Sequence, residues 1–233
     1  MTARRACASQ LPERRINLQN RRPNLVRRGS CCGSPYARVM GLKNVAKITD
    51  LRGTLIRLRP FAAAEIDEAW RGLALQDEAA YPRPRPEDRR PTPSETFRRR
   101  LSRSGRLWRG CLDLAIDRRG RLVGEIVART SPKQTLPAGV FEIGVVLYRP
   151  ADRGKGYGRE AVELLTTWLF EQGRAERVQA GTAADNGPMR VVLERLGFRF
   201  EGIMRAFGPV PDGTRIDGAM YAVLRSEWSN RPQ

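Results

Sequence analysis

The sequence predicts an α+β (mixed α/β) fold: a central mixed, mostly antiparallel sheet of about seven strands flanked by helices, behind a disordered basic N-terminal tail. Three observations point there. Three strand-like runs, Trp108–Asp117, Leu122–Thr130 and Val140–Tyr148, follow one another, and the Arg118-Arg119-Gly120 turn joins the first two as a hairpin. A glycine-rich turn and an amphipathic helix come next, so the chain then crosses over instead of hairpinning again. Short strand and helix signals alternate from there to the end, which is the pattern of a mixed sheet and not of a bundle or a sandwich.

Element by element, Thr54–Arg59 (TLIRLR) alternates apolar and polar residues as a half-buried strand does. Ala62–Leu73 reads as a helix with Ile66, Ala69, Trp70 and Leu73 on one face. Tyr81–Pro93 holds five prolines among alternating arginines and reads as an extended, exposed connection. Ser94–Leu101 reads as a short helix capped by Ser94. After the three strands, Arg159–Gln172 is helical, with Val162, Leu165, Trp168 and Leu169 on the buried side. Val178–Thr182 is a strand, Pro188–Leu196 a helix stopped at Gly197, and Phe198–Ile203 and Ala219–Arg225 are the closing strands. The four tryptophans are assigned to packing.

Composition excludes much. The 233-residue chain carries a net charge of +18 and no histidine. Without histidine, a Ser-His or Cys-His nucleophile and a metal-histidine centre are ruled out. The four cysteines form no Cys-x-x-Cys pair, so no metal site is expected. Three of them lie before residue 33, which is no disulfide framework, so a reducing cytoplasmic setting fits. No apolar stretch is long enough for a membrane span, and the N-terminus lacks a signal-peptide core. Residues 1–52 hold 12 Lys and Arg against two acids, more than half of the charge excess. Their paired arginines and sparse apolar residues read as a disordered tail, with the ordered domain at 53–230. Three readings of the tail stay open: a solvated segment, a weak nonspecific RNA or membrane contact, or a true start at Met40.

The most informative stretch is Arg153-Gly154-Lys155-Gly156-Tyr157-Gly158. Glycines at alternate positions between a strand and a helix leave backbone N–H groups free to converge on one anion. The helix start adds unpaired donors and the positive dipole end, and Arg153 and Lys155 add full charges. This suits a pyrophosphate. A P-loop needs Lys-Ser/Thr after its last glycine, where this chain has Arg159-Glu160. A dinucleotide fold would place its glycine loop after the first strand of a parallel sheet.

Several motifs in order carry a family resemblance. They are Glu142-Ile143-Gly144-Val145-Val146-Leu147, the glycine loop, Asn186, Leu193-Glu194-Arg195-Leu196-Gly197-Phe198, and Glu201-Gly202. Together they resemble the GNAT superfamily of acyl-CoA-dependent N-acetyltransferases over residues 53–230. The pattern from Asp217-Gly218-Ala219-Met220-Tyr221 to Glu227-Trp228 looks like the branch that acetylates ribosomal-protein N-termini. The resemblance implies acetyl-CoA as cosubstrate and, as acceptor, a primary amine of a protein N-terminus or a small molecule. It places the pantetheine arm beside Val145, Val146 and Leu147 by strand-like pairing, the pyrophosphate on residues 153–158, and a hydrogen bond from Asn186 to the arm. The bare residue reading of Asn186 is a helix N-cap, and both roles are compatible.

Amide formation from a thioester needs a neutral amine. Glu142, on the strand beside the thioester, is the first candidate base and Glu125 the second. Glu142 shares a strand face with Gly144 and Val146, so it serves only if that face opens on the acceptor. A solvated strand glutamate is the bland alternative. A backbone N–H near Val145 or Val146 would polarise the thioester oxygen. Two positions depart from the family: Met189 stands where many members have serine, and Leu193 where others have a tyrosine acid. Water or Tyr221 is then left to protonate the thiolate, and Tyr221 also reads as core. An acyl-CoA-binding sensor without turnover is the rival function, and either a monomer or a homodimer fits.

Overall fold

The computed structural model describes residues 47–74, 93–130, 136–209 and 214–230. One sheet of eight strands runs through it, in the order β1-β2-β3-β4-β5-β6-β8-β7. The strands are β1 (Leu51–Arg52), β2 (Arg57–Arg59), β3 (Cys111–Arg118), β4 (Arg121–Arg129), β5 (Val140–Leu147), β6 (Arg177–Ala183), β7 (Arg199–Pro209) and β8 (Arg215–Leu224). The helices are α1 (Ile66–Ala74), α2 (Glu95–Leu101), α3 (Tyr157–Glu171), α4 (Gly187–Arg195) and α5 (Arg225–Ser229). Among the described residues, no helix is long and apolar enough to cross a membrane.

The eight strands agree with the expected sheet of about seven, and one short strand is added. It is the two-residue β1, too short to carry a period. The packed chain also reaches back past the expected boundary at 53, because Ile48 is buried and its N–H donates to the Gly105 carbonyl at 2.8 Å. The bulk of the tail, 1–46, and nearly all of the Pro/Arg connection lie outside the described residues. Other corrections are local. Thr54–Ile56 leave the expected first strand to wrap a carboxylate, described below. The run expected as a strand from Trp108 begins at Cys111, because Arg109-Gly110 makes a tight turn. The last two strands are longer than expected at their shared end.

Alternation along β3, β4 and β5 splits the sheet into two faces. Leu112, Leu114, Ile116, Ile126, Phe141 and Ile143 pack with Val162, Leu165 and Leu169 of α3. Ala115, Leu122 and Val146 face the other way, against Trp70 of α1 and Phe97 and Leu101 of α2. Burying residues on both sides makes this a three-layer arrangement, with α3 on one face and α1 and α2 on the other. Ser94 caps α2 as the sequence suggests, its hydroxyl accepting from the Phe97 N–H at 3.2 Å.

Candidate active site

Among the described residues, all the strand pairs but one are antiparallel. The exception is β5 with β6, joined through α3, and it holds for three positions only: Val140 with Arg177, Phe141 with Val178, and Glu142 with Gln179. Beyond them β5 runs on to Leu147 paired with β4 alone, and β6 runs on to Ala183 paired with β8. The two strands therefore part into a V whose closed end is Glu142–Gln179 and whose open end lies toward the glycine loop. Val145, Val146 and Leu147 stand on the edge of this gap.

The glycine loop follows the open end. A single turn at Pro150–Asp152 leads into Gly154 (φ 73°) and Gly156 (φ 85°), both left-handed, and Gly156 is the N-cap of α3. L-residues reach those angles only with strain. A side chain at Gly154 would meet nothing within 4 Å, so the conformation and not crowding requires glycine there. Gly158 is already helical and only half-buried, so the third glycine leaves the first turn of α3 without a side chain at that point. Arg153, Lys155 and Arg159 are exposed around the loop, whereas Tyr157 turns inward, and the Arg118 guanidinium both bonds its hydroxyl and lies 5.2 Å from its ring centre. Tyr157 thus packs the loop from below.

Two ties that the sequence did not reveal hold this loop. Arg121 at the start of β4 forks onto the buried Asp152 at 2.9 and 2.6 Å, and it holds that carboxyl below its ordinary range. Glu160, in the first turns of α3, accepts from the N–H groups of Thr54 (2.7 Å), Leu55 (2.9 and 3.1 Å) and Ile56 (2.8 Å). Three successive amides close around one carboxylate, and Gly53 must stay bare because a Cβ there would sit 2.5 Å from the Glu160 carboxyl carbon. Neither partner had a local signal, since the contacts span 31 and more than 100 residues of chain.

Asn186 is the N-cap of α4. Its Oδ1 accepts from the Met189 N–H at 3.3 Å and its Nδ2 donates to the Thr182 hydroxyl at 3.1 Å. Thr182 belongs to the parted stretch of β6, so Asn186 stands next to the gap. Leu193 is fully buried and Met189 packs on the core, so neither offers a donor. Tyr221 is fully buried too, with its hydroxyl accepting from Arg190 Nε at 2.9 Å and donating to Glu194 at 2.8 Å. That proton is already engaged.

The two candidate bases sit differently. Glu142 is half-buried at the closed end of the V, 3.4 Å from the Gln179 amide. Glu125 lies on the same sheet face, opposite Val146, but is buried beneath Tyr148, whose hydroxyl donates to it at 2.8 Å. Burial pushes the Glu125 carboxyl up, against the pull of Arg100. Asp113, on the neighbouring strand, is likewise raised by burial and lies 3.2 Å from Arg100. Among the described residues no cluster of His, Cys, Asp and Glu is placed to hold a metal.

Comparison with known proteins agrees with this geometry. Residues 56–199 match the family described as acetyltransferase (GNAT) domain. An N-acetyltransferase 9-like protein of Caenorhabditis briggsae is 32% identical over 90 residues, 37% of this chain and 46% of that protein. The matches span less than half the length of such curated relatives. A GCN5-related N-acetyltransferase of Brucella melitensis superposes with a TM-score of 0.57 at 26% identity, covering 79% of this chain and 82% of the other. RimJ of Mycobacterium smegmatis, solved in complex with CoA-disulfide, shares the fold with a TM-score of 0.62 at 23% identity, covering 81% and 89%.

Proposed function

The chain belongs to the GNAT acetyltransferase family, and from that premise we propose that it moves an acetyl group from acetyl-CoA to a primary amine, on a protein N-terminus or a small molecule. One observation carries the reading: the V between β5 and β6 opens straight onto the left-handed glycine loop at the start of α3. An extended ligand with a diphosphate at one end and amides along its arm fits that path. The diphosphate meets the amides and cations of residues 153–158, and the arm adds to the parted edge of β5 along Val145, Val146 and Leu147 as a peptide strand would. Asn186, the N-cap of α4 just beyond the end of β6, contributes an amide to the same arm.

The thioester then lies toward the closed end, where Glu142 sits. In this scheme Glu142 takes a proton from the incoming ammonium. The free amine attacks the thioester carbon, and a β5 backbone N–H steadies the developing oxyanion. The new C–N bond forms, the tetrahedral centre collapses as the C–S bond breaks, the nitrogen gives up its second proton to solvent, and the thiolate takes a proton from solvent. Solvent fits this last step because Met189 and Leu193 carry no donor and the Tyr221 hydroxyl is committed to Glu194. Thiolate is a good leaving group, so the missing acid costs little. Glu125 is the second candidate, one strand further from the gap and covered by Tyr148. The ribosomal-protein branch is the acceptor class favoured by the Asp217–Trp228 pattern, and a reducing cytoplasm by the cysteine pattern.

The test is thiol release from acetyl-CoA against ribosomal-protein N-terminal peptides, polyamines and aminoglycosides. At least one class should turn over, and Glu142→Gln should lower kcat by about 10²–10⁴-fold with the KM for acetyl-CoA little changed. Tight acetyl-CoA binding with no thiol release from any acceptor would replace the enzyme by a sensor.

A further inference from the structure

At the other pole of the sheet lies a second cationic site. Trp108, Arg109, Gly110 and Cys111 form a two-residue hairpin closed by Trp108 N–H to Cys111 carbonyl at 2.8 Å and the reverse bond at 3.0 Å. Both central residues have positive φ, 50° at Arg109 and 79° at Gly110. Such a turn favours Asn-Gly, and an arginine in its first central position is strained. The strain sets Arg109 over the indole of Trp108, 5.1 Å from the ring centre, and Arg103 lies at 5.2 Å from the same ring. Two guanidinium groups are thereby gathered on one half-buried aromatic, with Arg99 exposed on α2 and Arg106 exposed on the connection that follows it. No carboxylate among the described residues pairs with any of the four, in contrast with their neighbours Arg98 and Arg100. The Arg119-Gly120 turn repeats the left-handed arginine, but Asp117 bonds that turn from beneath.

Like charges held together on a rigid ring, with no counter-charge among the described residues, suit a partner carrying closely spaced anions. We propose that the Arg103–Trp108–Arg109 surface binds the phosphate backbone of a nucleic acid without reading its bases. The indole is occupied by guanidinium groups, which leaves phosphate contact and not base stacking as the mode. The net charge of +18 favours the same partner over long range. The surface is separate from the glycine loop. Cys111 starts β3 opposite Arg129 at the end of β4, whereas the loop is tied to Arg121 at the start of β4, eight residues and roughly 25 Å away.

The experiment uses the full chain and a fluorescein-labelled oligouridylate read by anisotropy, at salt from about 50 to about 200 mM. Binding should weaken steeply with salt. The double variant Arg103→Gln/Arg109→Asn should bind on the order of tenfold more weakly with a flatter salt slope. Its Tm should be unchanged or higher, since Asn relieves the turn. Saturating acetyl-CoA should leave the affinity unaltered. Three results would overturn the proposal: wild-type affinity in the double variant, displacement of the oligonucleotide by acetyl-CoA, or equal affinity for labelled polyglutamate at the same salt. The first would move the contact to another surface, the second to the glycine loop, and the third would make the partner an acidic protein.

Discussion

Replacing Glu160 by alanine removes a carboxylate that three successive backbone amides share. Thr54, Leu55 and Ile56 all donate to it within 2.7 to 3.1 Å. Hydrogen bonds to an ionised acceptor are worth more than neutral ones, but this one is half-exposed and water can replace part of what is lost. About 1 kcal/mol for each amide gives about 3 kcal/mol of lost stability. For a folded region of this size that lowers Tm by roughly 6–12 °C. Glu160→Gln keeps a single acceptor oxygen and should lose about half as much. A functional consequence follows from placement. Leu55 reaches to 3.1 Å from where a Gly156 side chain would begin, so the 54–56 turn braces the glycine loop. Loosening it should weaken acetyl-CoA several-fold. Thermal melting by circular dichroism and acetyl-CoA titration calorimetry measure the two effects. A Glu160→Ala protein that melts with the wild type would show that the amides are as well served by water, and the bracing argument would fall.

Gly156→Glu forces a left-handed carboxylate into the loop and should abolish acetyl-CoA binding in a titration of the folded variant; undiminished affinity counts against the loop as the diphosphate site. Asn186→Asp keeps the N-cap acceptor for Met189 but removes the amide donor, so Tm should hold while acetyl-CoA affinity drops; an unchanged affinity would make Asn186 a cap alone. Glu125 and Asp113 both have carboxyls raised by burial, so the native state holds protons that the unfolded chain has released. Stability is then fullest below the ordinary value of 4.5 for Glu125 and is lost as pH climbs through the raised one. Arg100, Asp113, Arg129 and Tyr148 are the ionisable groups acting on Glu125. Glu125→Gln should flatten that decline in urea melts at stepped pH, with Asp113 supplying what remains; an unchanged slope would remove Glu125 as its source.

Legibility in the sequence followed the range of the contacts. The β3–β4 hairpin, the glycine loop, the α3 stripe and the Ser94 and Asn186 caps were readable because each is made by residues a few positions apart. Glu160 was not, although it sits two residues past the loop. Nothing near it shows that its partners are amides more than 100 residues upstream. Thr54–Ile56 misled for the same reason. Their alternation is genuine, since Ile56 and Leu58 are both buried, but tertiary contact with a carboxylate outweighed the local strand preference. At the site, the alternation that set Glu142 apart from Ile143 was readable. Its place at the point where β5 and β6 part was not, because pairing length between strands joined by a helix leaves no mark on either strand.

That parting has a physical cause within the chain. β5 is held along its length by β4, and β6 by the long antiparallel pairing with β8, which runs from Arg177–Leu224 to Ala183–Gly218. Each strand therefore follows its own partner's twist, and among the described residues β5 and β6 pair directly only along the short parallel seam at 140–142. Two strand edges then face each other across a gap in mid-sheet, an arrangement that leaves main-chain groups for solvent or for a ligand with amides of its own. The loop at the mouth is left-handed at two glycines and ringed by cations, so an anion there and an amide-bearing arm along the edge answer both needs with one molecule. Glu142 stands at the apex toward which such an arm would run.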